Sequence, residues 1–229
     1  MKLNTLIDHY QNGRYDEAEK VALDISKTNP SNQFTWKILA AILLQNGRLS
    51  EALEAGKKSV SLAPMDAESK YNLGVIQHKL GKVDDAINSF SSAIATDPSH
   101  IQSYINLGTL QQELGLLMDT VLTFKNAILF KSNNPQLYVN LGNIQHLLNK
   151  FKDAEHILQR ALRINPNHGD LLYNFALLFF ELRNFDYALA YIDKAIQLSK
   201  NNDVYKLLKS EIYINTKNIK KALNILEDL

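Results

Sequence analysis

There is no cysteine among the 229 residues, which removes disulfides, thiolate metal sites and cysteine nucleophiles together. An excess of charge is missing as well. Lys plus Arg number 25 against 24 for Asp plus Glu, a formal net charge of +1, so no bulk field draws the chain to nucleic acid or to an anionic membrane. Long apolar runs are absent too. The longest, Ile38 to Leu44, is far short of the roughly 20 residues that span a bilayer. The opening Met1-Lys2-Leu3-Asn4-Thr5-Leu6-Ile7-Asp8 breaks its apolar residues with Asn, Thr and Asp, leaving no signal-peptide core. A hydrophobic content of 45% is nonetheless ordinary for a folded globular chain. A soluble, cytoplasmic protein is the expectation.

Proline and glycine are few, five and nine, and their placement is informative. Pro30, Pro64 and Pro98 stand 34 residues apart, and Pro166 falls two such steps after Pro98. Gly13, Gly47, Gly81 and Gly115 keep the same spacing. So do Ala18, Ala52, Ala86, Ala154, Ala188 and Ala222, interrupted by Thr120. A fourth column, Leu39, Leu73, Leu107 and Leu141, is followed at once by the small residues Ala40, Gly74, Gly108 and Gly142. Self-similarity at a fixed period of this length marks a repeat architecture.

Within a period the apolar spacing is helical, as in Tyr104, Leu107, Gly108 and Gln111, then Thr120, Val121, Phe124, Ala127 and Ile128. Each period therefore holds two helices. The Gly column sits between them, where a residue with positive φ ends the first helix without a Cβ penalty. Asn149 suits that column, whereas Arg183 and Lys217 suit it poorly and predict less regular later turns. Asp16, Asp84, Asp119, Asp153 and Asp186 lie at or beside the start of the second helix, where capping of free N–H groups and the helix dipole both favour an acid. The Pro column closes each period.

The 34-residue period with its bulky-x-x-Leu-Gly start, the mid-repeat Ala, aromatics of the Phe90 and Phe124 kind, Ala93, Ala127 and the terminal Pro resembles the tetratricopeptide repeat (TPR). The resemblance covers one array over residues 1–229, with repeats at about 1–32, 33–66, 67–100, 101–134, 135–168, 169–202 and a truncated 203–229. Residues 67–98 match best. It implies an all-α, right-handed superhelical solenoid of about seven helix-turn-helix repeats, with the first helices lining a concave surface. Weak columns predict looser packing in two places. These are the second repeat, with Gly56 and Ser59, and the fourth, with Thr120 and Ser132 in the Ala and Pro columns.

The expected functional surface carries a ladder of amides. With Ala67 as the first position of its repeat, Asn72, Asn106, Asn140 and Asn174 occupy the sixth position in successive repeats; Asn4 shares it, while Ile38 and Leu208 interrupt it. A primary amide both donates and accepts, so it pairs with peptide backbone irrespective of side chain. Rungs about 10 Å apart span about 30 Å, enough for roughly nine extended ligand residues. The ladder resembles that of the repeat region of O-GlcNAc transferases, which implies binding of protein substrates. A plainer role, keeping the groove soluble and bonding to neighbouring helices, stands beside it. Tyr71, Thr109, Gln112, Gln136, Asn143, Tyr173 and Phe180 are further groove positions, as are His78 and His146, which share a column two repeats apart.

Other activities find little support. His78 and His146 are too far apart to share a metal, and no third ligand is near either in sequence, so no metal site and no cofactor are expected. The two-carboxylate clamp by which some TPR domains hold chaperone C-termini would need cations and amides where this chain has Lys37, Ala41, Asn72, Gln102 and Asn106. Only Lys37 and Asn72 fit. No phosphate loop, His-Glu metal motif or Ser elbow occurs, so the chain by itself is not expected to be an enzyme. Lys194, Lys200, Lys206, Lys209, Lys217, Lys220 and Lys221 are interleaved with acids and read as a solvated helical face.

Two readings follow. The first is a protein interaction scaffold that binds an extended peptide. The second is the substrate-recruiting N-terminal region of a larger sulfotransferase or glycosyltransferase, because Tyr10-Gln11-Asn12-Gly13-Arg14-Tyr15 and Phe34-Thr35-Trp36-Lys37 resemble the openings of transferase-linked microbial TPR proteins. Under either, no nucleic acid and no membrane are expected as partners. The sequence stops at Leu229 with Leu223 and Leu226 uncovered. That edge is either frayed, continued in a longer polypeptide, or a surface for a partner or for self-association.

Overall fold

A computed structural model describes residues 2–131, 133–227 and 229. Ser132 lies outside them. Among the described residues there are fourteen α-helices and no strands: α1 (Lys2–Gln11), α2 (Tyr15–Thr28), α3 (Gln33–Gln45), α4 (Leu49–Leu62), α5 (Ala67–Lys79), α6 (Val83–Thr96), α7 (Ile101–Glu113), α8 (Leu117–Phe130), α9 (Pro135–Leu147), α10 (Phe151–Ile164), α11 (Gly169–Glu181), α12 (Phe185–Leu198), α13 (Asp203–Asn215) and α14 (Ile219–Glu227). Each period supplies two, as the apolar spacing predicts. Two compact units divide the chain, Met1–Leu114 with α1 to α7 and Gly115–Leu229 with α8 to α14.

The turns between paired helices follow the glycine column. Gly13 and Gly81 have φ of 72° and 70°, a conformation that costs a residue with Cβ roughly 1–2 kcal/mol. Asn149, Arg183 and Lys217 adopt it nonetheless, with φ of 56°, 57° and 60°. The later turns are therefore regular after all, because packing of the flanking helices imposes the left-handed turn on residues that disfavour it.

Capping differs from the expectation. The second helices α2, α4, α6, α8, α10 and α12 have no side-chain cap; the residues before them are Arg14, Arg48, Lys82, Leu116, Lys150 and Asn184. The Asp column sits inside the first turn, so its contribution is to the helix dipole and not to a cap bond. Side-chain caps occur on first helices instead. Asn32, Asn134 and Asn202 accept from backbone N–H groups of Thr35, Gln136 and Tyr205, and His100 does so from Ser103.

In the first unit one apolar core gathers Leu6, Ala18, Ala22, Leu39, Ile42, Ala52 and Ile76, and a second gathers Ala86, Phe90, Leu107 and Leu110. In the second unit Leu172, Ala176, Ala188, Ile192, Tyr205 and Ile212 form another. The two weak columns are not loose. A Cβ on Gly56 would already lie 3.4 Å from Leu73 Cδ1 and Ile76 Cδ1 of the following repeat, so neighbouring side chains occupy the space. Ser59 is buried and bonds to Ser69 and to Gln33 at 2.8 and 3.2 Å. Thr120 is fully buried, and its hydroxyl donates to the Leu116 carbonyl at 2.9 Å. Polar residues fit these columns because each finds a partner.

Candidate functional site

The first-helix positions singled out in the sequence fall within α5, α7, α9 and α11. In the first unit, Asn106 donates from Nδ2 to the Tyr71 hydroxyl at 3.3 Å, across two successive repeats. The Tyr71 ring is flanked by Phe90 and His100, with centroids at 6.0 and 5.1 Å. Burial pushes the Tyr71 phenol up from its ordinary value; the Asn106 bond opposes this and the Glu68 carboxylate adds to it. Tyr71 is thus a neutral hydrogen-bonding group at any physiological pH. Asn72 is half-buried, Gln112 is exposed, and His78 Nε2 lies 3.4 Å from Glu113.

His100, which the sequence reading missed, organises this surface. Its Nδ1 accepts from the Ser103 backbone N–H at 3.3 Å, which leaves the proton on Nε2, 3.0 Å from the Glu68 carboxylate. One imidazole therefore caps α7, packs on Tyr71 and orients Glu68. Its placement directly before Ile101, with Ser103 three residues on, is the sequence signal that could have revealed it.

In the second unit, Asn140 accepts from Gln136 Nε2 at 2.8 Å, one turn earlier on α9. Asn143 is half-buried one further turn along the helix. Asn174 differs. It is 6% exposed and donates from Nδ2 to the Asp170 carbonyl at 2.9 Å, folded onto its own helix. Tyr173 stacks on Tyr205 at 5.4 Å, and Tyr205 donates to Asp170 at 2.6 Å. Burial raises both phenols, and the Asp170 bond raises Tyr205 further. His146 packs edgewise on Phe151 at 5.6 Å, with Nε2 buried and unpartnered among the described residues.

Chemically these surfaces offer amide and hydroxyl donors and acceptors with aromatic faces. Among the described residues no group of three or more His, Asp or Glu is placed to hold a metal ion, and no helix is long and apolar enough to cross a membrane. Lys37, the cation that fits the chaperone clamp, is held by Asp66 at 3.0 Å.

Family models for the tetratricopeptide repeat match residues 3–64, 67–100, 135–168 and 169–202. The chain belongs to the tetratricopeptide repeat family. None of the curated protein sequences compared with it matches. Among solved structures, the C-terminal part of a TPR protein from Cytophaga hutchinsonii superposes with a TM-score of 0.82 at 16% identity, covering 99% of this chain and 94% of that one. A tetratricopeptide repeat protein from Parabacteroides merdae gives 0.75 at 18%, covering 99% and 90%. YrrB, described as a TPR protein with an unusual peptide-binding site, gives 0.64 at 18%, covering 88% and 100%. At these identities the likeness is one of fold. TPR proteins are in general scaffolds that bind protein or peptide partners.

Proposed function

We propose that this chain is a non-catalytic interaction scaffold that holds an extended segment of a partner protein against its first helices, through amides that read the partner's backbone. The observation that carries this is Asn106 bonded to Tyr71 across two repeats. An amide has two N–H donors and two acceptor lone pairs, so that single bond aims the group while leaving capacity for a peptide C=O and N–H. Asn140 in the second unit is aimed differently, its Oδ1 accepting from Gln136 one turn earlier on the same helix. Asn72, Gln112, Asn143 and the aromatic faces of Tyr71 and Tyr173 supply adjoining contacts, with His78 and His146 at the ends of α5 and α9. Asn174 contributes least, since its donor is already committed to Asp170.

The test uses peptides selected from a random library by the intact chain. Asn106→Ala and Asn140→Ala are expected to weaken binding about tenfold or more, each donor–acceptor pair contributing about 1–1.5 kcal/mol, with helical content unchanged. N-methylation of the peptide backbone should abolish binding, while single side-chain truncations in the peptide should not. Affinity indifferent to both amides and to N-methylation would sink the reading. A second reading of the same surface makes the array the substrate-recruiting arm of a larger sulfotransferase or glycosyltransferase. The intact mass of the native gene product separates the two.

A further inference from the structure

A second surface, independent of the amides, lies in the second unit on the side of the second helices. A cleft of about 470 Å³ opens between α8 and α10 over α9. Tyr138 and Leu141, 1% and 2% exposed, form its floor. Leu122 and Leu129 of α8 stand on one rim, 59% and 80% exposed, and Ile157 of α10 lies opposite. Lys125, Asn126, Ile128, His156 and Arg160 complete the lining, with Arg160 6.0 Å over the Tyr138 ring, and no acidic residue lines the cleft.

The first unit has a cleft of the same construction, about 530 Å³, between α2 and α4 over Trp36, Leu39 and Leu43 of α3. Its charges are balanced internally. Arg48 and Lys58 share its lining with Glu51 and Glu54, and Arg48 bridges Glu51 at 2.5 Å and reaches Glu19 just outside the cleft. In the second unit, by contrast, neither Lys125 nor Arg160 forms a salt bridge among the described residues. The same fold feature is thus neutralised once and left cationic and apolar once.

We propose that the cleft between α8 and α10 docks an acidic amphipathic helix from a partner protein. Leu122, Lys125, Asn126 and Leu129 fall at i, i+3, i+4 and i+7, one continuous ridge against which a third helix packs at about 8–10 Å. An apolar anchor over Tyr138 and Leu141 removes Leu122 and Leu129 from water, and a contiguous apolar patch with a polar rim is a mark of an interaction surface. Carboxylates on the two flanks of the incoming helix meet Lys125 on one side and His156 and Arg160 on the other. This is helix-in-groove recognition, with the charge pattern setting which helices are accepted.

The probe is a synthetic peptide of about 15 residues with Leu at i, i+3, i+4 and i+7 and Glu on both flanks, compared with a twin carrying Lys for Glu. Anisotropy titrations should show the Glu peptide bound at least about tenfold more tightly than the Lys twin, with the difference shrinking in high salt. Leu129→Asp should weaken the Glu peptide about tenfold. The double variant Lys125→Glu/Arg160→Glu should invert the preference, and Asn140→Ala should leave it unchanged. Equal binding of the twins, no binding of either, or indifference to both cleft variants would overturn the proposal. So would a dimer of the unliganded chain that Leu129→Asp dissociates, because the occupant would then be a second copy.

Discussion

Gln77 accepts a 2.6 Å hydrogen bond from the Ser89 hydroxyl, joining α5 to α6 inside one repeat. Two repeats later Gln145 occupies the same column, but Ile157 stands where Ser89 stood. Gln145 Oε1 is consequently buried without a partner among the described residues. An acceptor left in that condition costs about 1–3 kcal/mol.

Gln145→Met, which keeps length and volume and removes the orphaned acceptor, should therefore stabilise the chain by about 1 kcal/mol. Gln77→Met should destabilise it by a similar amount, since it breaks a bond that is made. Urea titrations with unchanged slope would check both signs. A loss of stability in Gln145→Met would show that the orphan finds a partner in solution.

Gly74 on the first helix α5 and Gly56 on the second helix α4 should respond oppositely to one methyl group. A Cβ on Gly74 would fall 2.7 Å from Phe90 Cε1 in a fully buried ring, whereas one on Gly56 meets only ordinary contacts at 3.4 Å. Gly74→Ala should cost about 1–3 kcal/mol through overpacking. Gly56→Ala should gain close to the helix-propensity difference of about 1 kcal/mol. Thermal midpoints moving in the same direction would contradict the packing argument.

At Arg183 and Lys217 the expectation concerns the backbone. Relief of the left-handed conformation favours Gly by about 1–2 kcal/mol, partly offset by its greater freedom when unfolded. Arg183→Gly and Lys217→Gly should each raise stability by about 0.5–1 kcal/mol, and Asn149→Gly should do less. Chemical denaturation of the three variants side by side decides it.

Asp66 gives the pH dependence. Burial pushes its carboxyl up, but hydrogen bonds from Ser69, Lys37 and Gln33 and the Lys37 charge outweigh this and hold it below its ordinary value. A depressed carboxylate contributes stability above the unfolded value of about 3.9, and the contribution is lost as pH falls through the folded value. Asp66→Asn should thus be destabilised at neutral pH by about 1–2 kcal/mol. The gap to the parent chain should close below about pH 4. A gap that persists at low pH would assign the loss to geometry and not to charge.

The pairing of two helices in each period and the residues of the tight turns were legible in the sequence, because a 34-residue period repeats one local solution of helix, left-handed turn and helix. Where the pattern faltered, at Gly56, Ser59, Thr120, Arg183 and Lys217, the sequence suggested weakness and the structure shows compensation by neighbours in space. Such compensation carries no periodic signal. It depends on Leu73 and Ile76 reaching toward Gly56, or on Ser69 meeting Ser59.

Of the amide surface, the sequence by itself determined the column and the residue type. Tertiary packing decided what each amide does: Asn106 reaches Tyr71 in the preceding repeat, Asn140 is held by Gln136, and Asn174 turns onto its own backbone. The cation-lined cleft of the second unit was not legible at all. Its residues come from three helices, and Lys125 and Arg160 belong together only because two second helices lie over one first helix. Periodicity fixes which face of a helix is buried; which charges remain unpaired on the outside is set by distances that only the folded chain creates.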